Sequence, residues 1–150
     1  MSDRDTRAFA NDLPVYEFPE VAFTAPPPLA DAKVAIVTTA GLRTDGTLLW
    51  ARGDESFSVL PSASRHVRMA HASQNFDRSG FMADLNVVYP VDRLAELAAA
   101  GTIGSVAPRN LSFMGAQADH RLSTIRLDSG PAAATLLRDD GVDVVLLTPV

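Results

Sequence analysis

The stretch that decides the fold is VDVVLLTPV, residues 142–150. It holds four consecutive apolar residues, Val144 to Leu147, and therefore has no polar face. A short run of this kind is typical of a parallel strand that helices cover on both sides. In open parallel sheets, binding sites form in the loops at the carboxyl ends of the strands. The sequence therefore predicts a buried strand whose carboxyl end lies at the functional edge of a sheet.

The rest of the chain alternates β-branched runs with amphipathic stretches. This pattern predicts strands at 33–38 and 66–70, a short edge strand at 57–60 ended by Pro61, and helices near 90–100 and 130–140. The expected fold is α/β, a three-layer, mainly parallel open sheet of Rossmann-like type that contains 33–38, 66–70 and 143–149. No helix follows the last predicted strand, so we expect this sheet to be incomplete at the C-terminus.

The first 32 residues differ in composition from the rest. Prolines recur there and include the run Pro26 to Pro28. Because proline removes a backbone donor and breaks helices, we expect 1–32 to be an extended arm. It would lie over the domain or dock on another subunit. Residues 33–150 form the predicted α/β domain, and the length of 150 residues suits a single core.

Composition excludes several classes of function. The net charge of -5 argues against a nucleic-acid or anionic-membrane partner, which would favour a basic patch. No apolar run reaches the length of a membrane span, and the N-terminus lacks the apolar segment of a signal peptide. We therefore expect a cytoplasmic protein. Cysteine is absent, which excludes a disulfide, a thiolate metal site and a redox thiol within this chain.

Polar residues follow several predicted strands. The turn from Thr38 to Gly41 combines hydroxyls with a glycine and could expose backbone N–H groups to an anion, although an ordinary strand-end turn has the same composition. The polar loop 71–80 follows the predicted strand 66–70. The compact turn 112–115 lies between the two predicted helices and could equally plug the core. The candidate substrate-binding residues are Thr38, Thr39, Gly41, His71, Asp77, Ser112 and Met114.

A metal site is a further alternative. His71, Asp77 and Asp84, together with His66 and His120, are residue types that bind zinc or non-haem iron. Their spacing matches no compact ligand motif, and a loop histidine near an aspartate commonly forms a local hydrogen-bond pair. A metal-dependent hydrolase is thus the third of the three functions considered.

Three stretches resemble the selenoprotein B family of the glycine, sarcosine, betaine and D-proline reductases. They are VAIVTTAGL at 34–42, DLNVVYPVDRLAELAAAGTIGSVAPRNLSFMG at 84–115 and DDGVDVVLLTPV at 139–150, and the resemblance runs from about 33 to 150. In that family a strand ending in Thr-Pro-Val is followed at once by selenocysteine or cysteine, two further residues and a cysteine, at the start of a helix. This chain departs from the pattern because the pair is absent, so no catalytic residue is expected before Val150.

The resemblance implies an oxidoreductase. A selenolate displaces the amine of a small amino-acid-like substrate, which a pyruvoyl group on a partner subunit activates, and a dithiol or thioredoxin-like donor then reduces the pair. The chain itself would carry no cofactor and would be inactive alone. Two hypotheses explain the missing pair. Either Val150 precedes an in-frame UGA codon for selenocysteine and the chain is a truncated reading, or the chain is a short paralogue that serves as a cysteine-free accessory or small-molecule-binding subunit.

Overall fold

The computed structural model describes residues 2–12, 17–19, 23–44, 46, 49–64, 66–73, 78–117 and 122–150. Its helices are α1 (Asp3–Asn11), α2 (Ser79–Ala83), α3 (Val91–Ala99) and α4 (Gly130–Asp139). Its strands are β1 (Lys33–Thr38), β2 (Leu42–Arg43), β3 (Phe57–Pro61), β4 (Arg68–Met69), β5 (Ser105–Val106), β6 (Arg109–Phe113) and β7 (Val144–Thr148). Short 3-10 turns lie at Leu29–Asp31 and Leu85–Val87, and a π-helical turn at Ile125–Ser129 leads into α4.

The main sheet is built around β1. Strand β7 pairs in parallel along one side of β1, and β5 followed by β6 pairs in parallel along the other side. Strand β3 runs antiparallel to β6 at the far edge, so the order across the sheet is β3–β6–β1–β7. The predicted α/β class and a mostly parallel sheet are confirmed, whereas the Rossmann-like three-layer arrangement stays a prediction.

Both faces of β1 are covered by apolar side chains. Val34 and Ile36 belong to a core cluster that includes Leu94 of α3. Ala35 belongs to a second cluster that includes Leu137 of α4. Burying an aliphatic side chain contributes roughly 1.5–3 kcal/mol, so these two clusters attach α3 and α4 firmly to β1. The central, doubly covered strand is therefore β1.

A buried amide closes a gap between β5 and β6. The two strands together carry extra residues opposite β1, because Val34 pairs with Val106 whereas Val37 pairs with Leu111. The Asn110 side chain fills the break, and its Oδ1 accepts from the Ile36 N–H at 2.7 Å. Its Nδ2 donates to Ser62 Oγ at 2.8 Å and to Tyr89 Oη at 2.9 Å. A side chain thus supplies the acceptor that a regular ladder would supply from the backbone.

The prediction that 143–149 form a buried, doubly covered strand is wrong. Among the strands that the structure describes, β7 pairs with β1 alone. Leu147 is 69% exposed, Val145 40% and Leu146 38%. Apolar composition shows that a strand is suited to covered faces, but it does not determine which strands become its lateral neighbours.

Two further predictions need correction. Residues 66–70 do not join the main sheet, because β4 pairs antiparallel with β2 in a separate two-stranded sheet. The N-terminal arm is not extended throughout, because α1 forms a helix at 3–11. Ser2 caps this helix and exchanges hydrogen bonds with Asp5 in a capping box. The first proline comes only at position 14, after α1 has ended.

Other local predictions are confirmed. Residues 57–61 form an edge strand, and the helices α3 and α4 lie where their periodicity placed them. The division of the chain at residue 33 stays a prediction. Within the described ranges, no helix has the length and apolar character needed to cross a membrane.

Candidate functional site at the carboxyl edge of β1

The carboxyl ends of three strands meet at one edge of the sheet. Thr38, the last residue of β1, pairs with Thr148 of β7 on one side and with Ser112 of β6 on the other. The segments that follow these residues therefore converge, as expected for parallel strands. The Gly115 N–H donates to the Thr39 carbonyl at 2.9 Å and joins two of the segments. We call the group Thr39, His71, Gly115 and Val150 the β1 edge site.

The Thr39 hydroxyl holds the backbone that follows β7. Its Oγ1 accepts from the Val150 N–H at 2.8 Å and lies 3.4 Å from the Val150 carbonyl, to which it donates. The Thr39 N–H also donates to the Thr148 carbonyl at 3.2 Å. A hydroxyl both donates and accepts, so one side chain can engage both polar groups of Val150. Thr39 therefore positions the main chain beyond the strand.

Gly115 allows three elements to approach one another closely. A Cβ at this position would lie 2.8 Å from the Thr39 carbonyl oxygen, 3.1 Å from His71 Nε2 and 3.2 Å from the Val150 carbonyl oxygen. Two of these three atoms belong to the backbone and cannot move without disturbing a strand end. Glycine has no Cβ and is the residue that permits such an approach.

His71 contributes a buried imidazole to the site. The ring is only 2% exposed, and its Nδ1 accepts from the Ser73 N–H at 3.2 Å. The neutral ring therefore carries its proton on Nε2, the nitrogen that lies beside Gly115. Burial lowers the pKa of His71, and the nearby positive charge of Arg78 lowers this pKa further. Both effects favour the neutral imidazole of His71 over the charged ring.

Arg78 anchors the loop that carries His71. Its Nη2 donates to the His71 carbonyl at 3.0 Å and to the Ser73 carbonyl at 3.2 Å. One guanidinium therefore bridges two main-chain carbonyls of the segment that orients the imidazole. This contact explains how a polar loop can present a histidine at a defined position.

The turn after β1 uses its backbone donors inside the protein. The Thr39 and Gly41 N–H groups donate to the carbonyls of Thr148 and Phe113. The N–H groups of Ala40 and Leu42 donate to Thr38 Oγ1 at 3.2 Å and Ser112 Oγ at 2.7 Å. This is the ordinary strand-end turn and not an anion-binding one, because its N–H groups already have acceptors.

The six candidate residues that the structure describes fall into two groups. Thr39 and His71 lie in the β1 edge site, as described above. The others lie in the protein interior next to the site. Thr38 and Ser112 are fully buried, and their hydroxyls form hydrogen bonds with backbone groups. The Met114 Sδ accepts a hydrogen bond from the Ala72 N–H at 3.5 Å. Gly41 has a φ of 63°, and its carbonyl accepts from Trp50 Nε1. Asp77 lies outside the described residues, and a substrate-binding role for these seven residues stays a prediction.

No cluster in the described ranges of the chain brings together three histidine, aspartate or glutamate side chains that could hold a metal ion. Two of the residues considered as ligands, Asp77 and His120, lie outside those ranges. The metal-dependent hydrolase therefore receives no support from the described geometry.

Sequence reasoning did not single out two residues that organise the site. Gly115 belongs to the predicted turn 112–115, of which Ser112 and Phe113 in fact end β6, and no local pattern distinguishes this glycine from the others. Trp50 is the only tryptophan, and it is 3% exposed. Its N–H groups donate to the carbonyls of Gly41 and Ala70, and the Arg43 guanidinium lies 4.4 Å from its ring centroid. Trp50 thus packs behind the turn that carries Thr39.

Comparison with curated proteins finds a relative among the reductases that the sequence motifs resemble. The chain is similar to D-proline reductase subunit gamma of Acetoanaerobium sticklandii. The two are 36% identical over 122 residues, which are 80% of this chain and 49% of the relative. The chain therefore spans about half the length of that relative. No family model and no solved structure matches the chain. The similarity supports the resemblance to the amino-acid reductases.

Proposed function

We propose that this chain is part of a reductase of the D-proline reductase type and supplies the edge of the sheet at which the redox pair of that enzyme is held. The support is the 36% identity to a D-proline reductase subunit. A small amino-acid-like molecule is the substrate class in this proposal. The pyruvoyl-containing partner subunit and the thioredoxin-like donor, both implied by the resemblance, belong to it as well.

The observation on which the proposal rests is the pair of hydrogen bonds between the Thr39 hydroxyl and the backbone of Val150. In the resembling family the redox pair follows a Thr-Pro-Val strand end, and here that strand end is fixed by two hydrogen bonds to one hydroxyl. When present, a selenol or thiol pair supplies the nucleophile and the electrons. The residues of this chain would orient it: Thr39 sets the direction of the backbone and Gly115 leaves room for close approach. The Nε2–H of His71 can donate a hydrogen bond to an anion, which favours the deprotonated nucleophile.

A second candidate function is a cysteine-free accessory or binding subunit. The observation that favours it is the complete absence of cysteine from the 150 residues. Thiol–disulfide exchange requires an attacking thiolate and a resolving thiol, and neither can come from these residues. In this alternative the β1 edge site would bind a small molecule without taking part in electron transfer.

A chimeric enzyme tests the proposal. The aligned part of the Acetoanaerobium sticklandii subunit is replaced by the aligned part of this chain, and the enzyme is assayed for D-proline reduction with dithiothreitol. Glycine, betaine and sarcosine are assayed alongside. We expect activity on at least one of the four. A chimera that folds and assembles yet reduces none of them would contradict the proposal and favour the accessory alternative.

Matched variants of Thr39 show whether the site acts as proposed. Thr39→Ser keeps the hydroxyl that bonds to Val150, whereas Thr39→Val has nearly the same shape and lacks it. We expect the serine chimera to keep its activity and the valine chimera to lose about tenfold in kcat/KM, equivalent to about 1.4 kcal/mol. Equal activity of the two variants would show that the hydroxyl does not position the reacting groups.

A further inference from the structure

Strand β7 has exposed apolar side chains on both of its faces. Its register with β1 places Leu146 beside Ile36, on the face covered by α3. The same register places Val145 and Leu147 beside Ala35 and Val37, on the face covered by α4. All three β7 side chains are between 38% and 69% exposed. A strand with one face exposed to solvent normally alternates apolar with polar residues, whereas a strand covered on both faces does not.

The outer side of β7 also offers backbone hydrogen-bonding groups. The Thr148 carbonyl faces β1, since it accepts from the Thr39 N–H at 3.2 Å. Backbone groups alternate in direction along a strand, so those of Val145 and Leu147 point away from β1. Natural edge strands are usually protected by a charge, a proline or a bulge. Strand β7 has none of these between Val144 and Thr148, and its five pairs with β1 are in regular register.

We propose that β7 receives a further parallel strand, with helices that cover both of its faces, from a polypeptide equivalent to the unaligned half of the D-proline reductase subunit. This inference rests on the proposed function for the identity of the polypeptide. The alignment leaves about half of the relative without a counterpart in this chain. That half is large enough to supply a strand and covering helices.

A second copy of the chain fits β7 less well. Two copies joined edge to edge would pair their backbones, but each would bring the same exposed leucines and valines. The helices α3 and α4 pack on β1 through Leu94 and Leu137 and leave Leu146 and Leu147 exposed, so a second copy would bring no further helix for these side chains. An additional helix-bearing segment satisfies both the backbone groups and the apolar side chains.

The test uses the 150-residue chain and a separately produced polypeptide that comprises the unaligned half of the Acetoanaerobium sticklandii subunit. Size-exclusion chromatography with light scattering measures the complex, and hydrogen exchange reports on each β7 amide. We expect a one-to-one complex in which the amides of Val145 and Leu147 exchange at least about tenfold more slowly than in the chain alone.

Two substitutions of exposed leucines distinguish specific docking from non-specific hydrophobic association. Leu147→Lys on β7 should weaken the complex by about tenfold or more, whereas Leu127→Lys should leave it unchanged. Leu127 is a matched control, because it is 74% exposed and lies on the π-helical turn before α4. Circular dichroism of both variants verifies that they are folded.

Each outcome decides the inference. Absence of a complex with the folded wild-type chain overturns it, and so does a homodimer whose β7 amides are protected without the second polypeptide. Equal binding by Leu147→Lys and wild type also overturns it. Formation of the complex together with an inactive chimera would keep the docking surface and reject the proposed reductase function, so the two failures are distinguishable.

Discussion

Replacing Gly115 by alanine tests whether the β1 edge site depends on close approach of its three segments. The added methyl group would lie 2.8 Å from the Thr39 carbonyl oxygen and 3.2 Å from that of Val150. It would also lie 3.1 Å from His71 Nε2. Real Cβ atoms essentially never come within 3.0 Å of such a neighbour, so the backbone at Thr39 or Gly115 must shift. That shift lengthens the hydrogen bond from the Gly115 N–H to the Thr39 carbonyl, which is 2.9 Å.

The size of the effect follows from these contacts. Overpacking of a tight site costs about 1–3 kcal/mol. Weakening the Gly115–Thr39 hydrogen bond adds about 0.5–1.5 kcal/mol. The lower chain entropy of alanine in the unfolded state offsets about 0.4–1 kcal/mol. We therefore expect the free energy of unfolding to fall by about 1–3 kcal/mol, and Tm to fall by about 2–4 °C for each kcal/mol.

Urea unfolding followed by fluorescence measures this change. Trp50 is the sole tryptophan and is buried behind the site, so its emission reports on the region affected. Gly80→Ala is the matched control. It lies in α2, where the nearest atom to an added Cβ is Val87 Cγ1 at 3.9 Å. This control should be neutral or stabilising by up to about 1 kcal/mol, since glycine weakens a helix.

The reasoning would be refuted if Gly115→Ala were as stable as the Gly80→Ala control. Such a result would mean that the space beside Gly115 is open and that the three segments do not meet there. In the chimeric reductase, the same substitution should lower activity even at temperatures where the variant remains folded, because it displaces Val150 from Thr39.

Three further results are expected. Asn110→Ala leaves the buried Ile36 N–H without its acceptor and should lower the free energy of unfolding by about 1–3 kcal/mol, and a change below about 0.5 kcal/mol would contradict this role. The pKa of His71, measured by NMR titration, should lie below its ordinary value, because burial and Arg78 disfavour the charged ring. The unfolded chain then binds the proton more readily, so stability should fall as pH drops below about 6.5, and His71→Gln should remove this dependence. The isolated chain should not reduce D-proline with dithiothreitol, since it has no cysteine, and turnover by the pure chain would show that another group can carry the electrons.

Local elements could be predicted from the sequence because their signals are local. The β-branched run at 33–38, the helical period of 91–99 and the Pro131 start of α4 each specify an element through residues close in the chain. The same logic of strand ends directed attention to Thr39 and His71. Gly115 and Asn110 acquire their importance from atoms far away in the sequence, and no local pattern marks a glycine or an asparagine for that role.

By itself, the sequence determined that this protein is α/β, that 33–38 and 144–148 are strands, and that the second of these leads into Thr-Pro-Val, as in the reductases that the chain resembles. Only the tertiary structure decided which strands are neighbours. In the structure, β7 lies at an edge of the sheet and Arg68–Met69 belongs to a separate two-stranded sheet. The side chains of Thr38, Ser112 and Met114 are buried. The physical reason is that apolar periodicity reports the preference of a segment for burial, whereas lateral pairing and close approach depend on hydrogen bonds and contacts between distant parts of the chain.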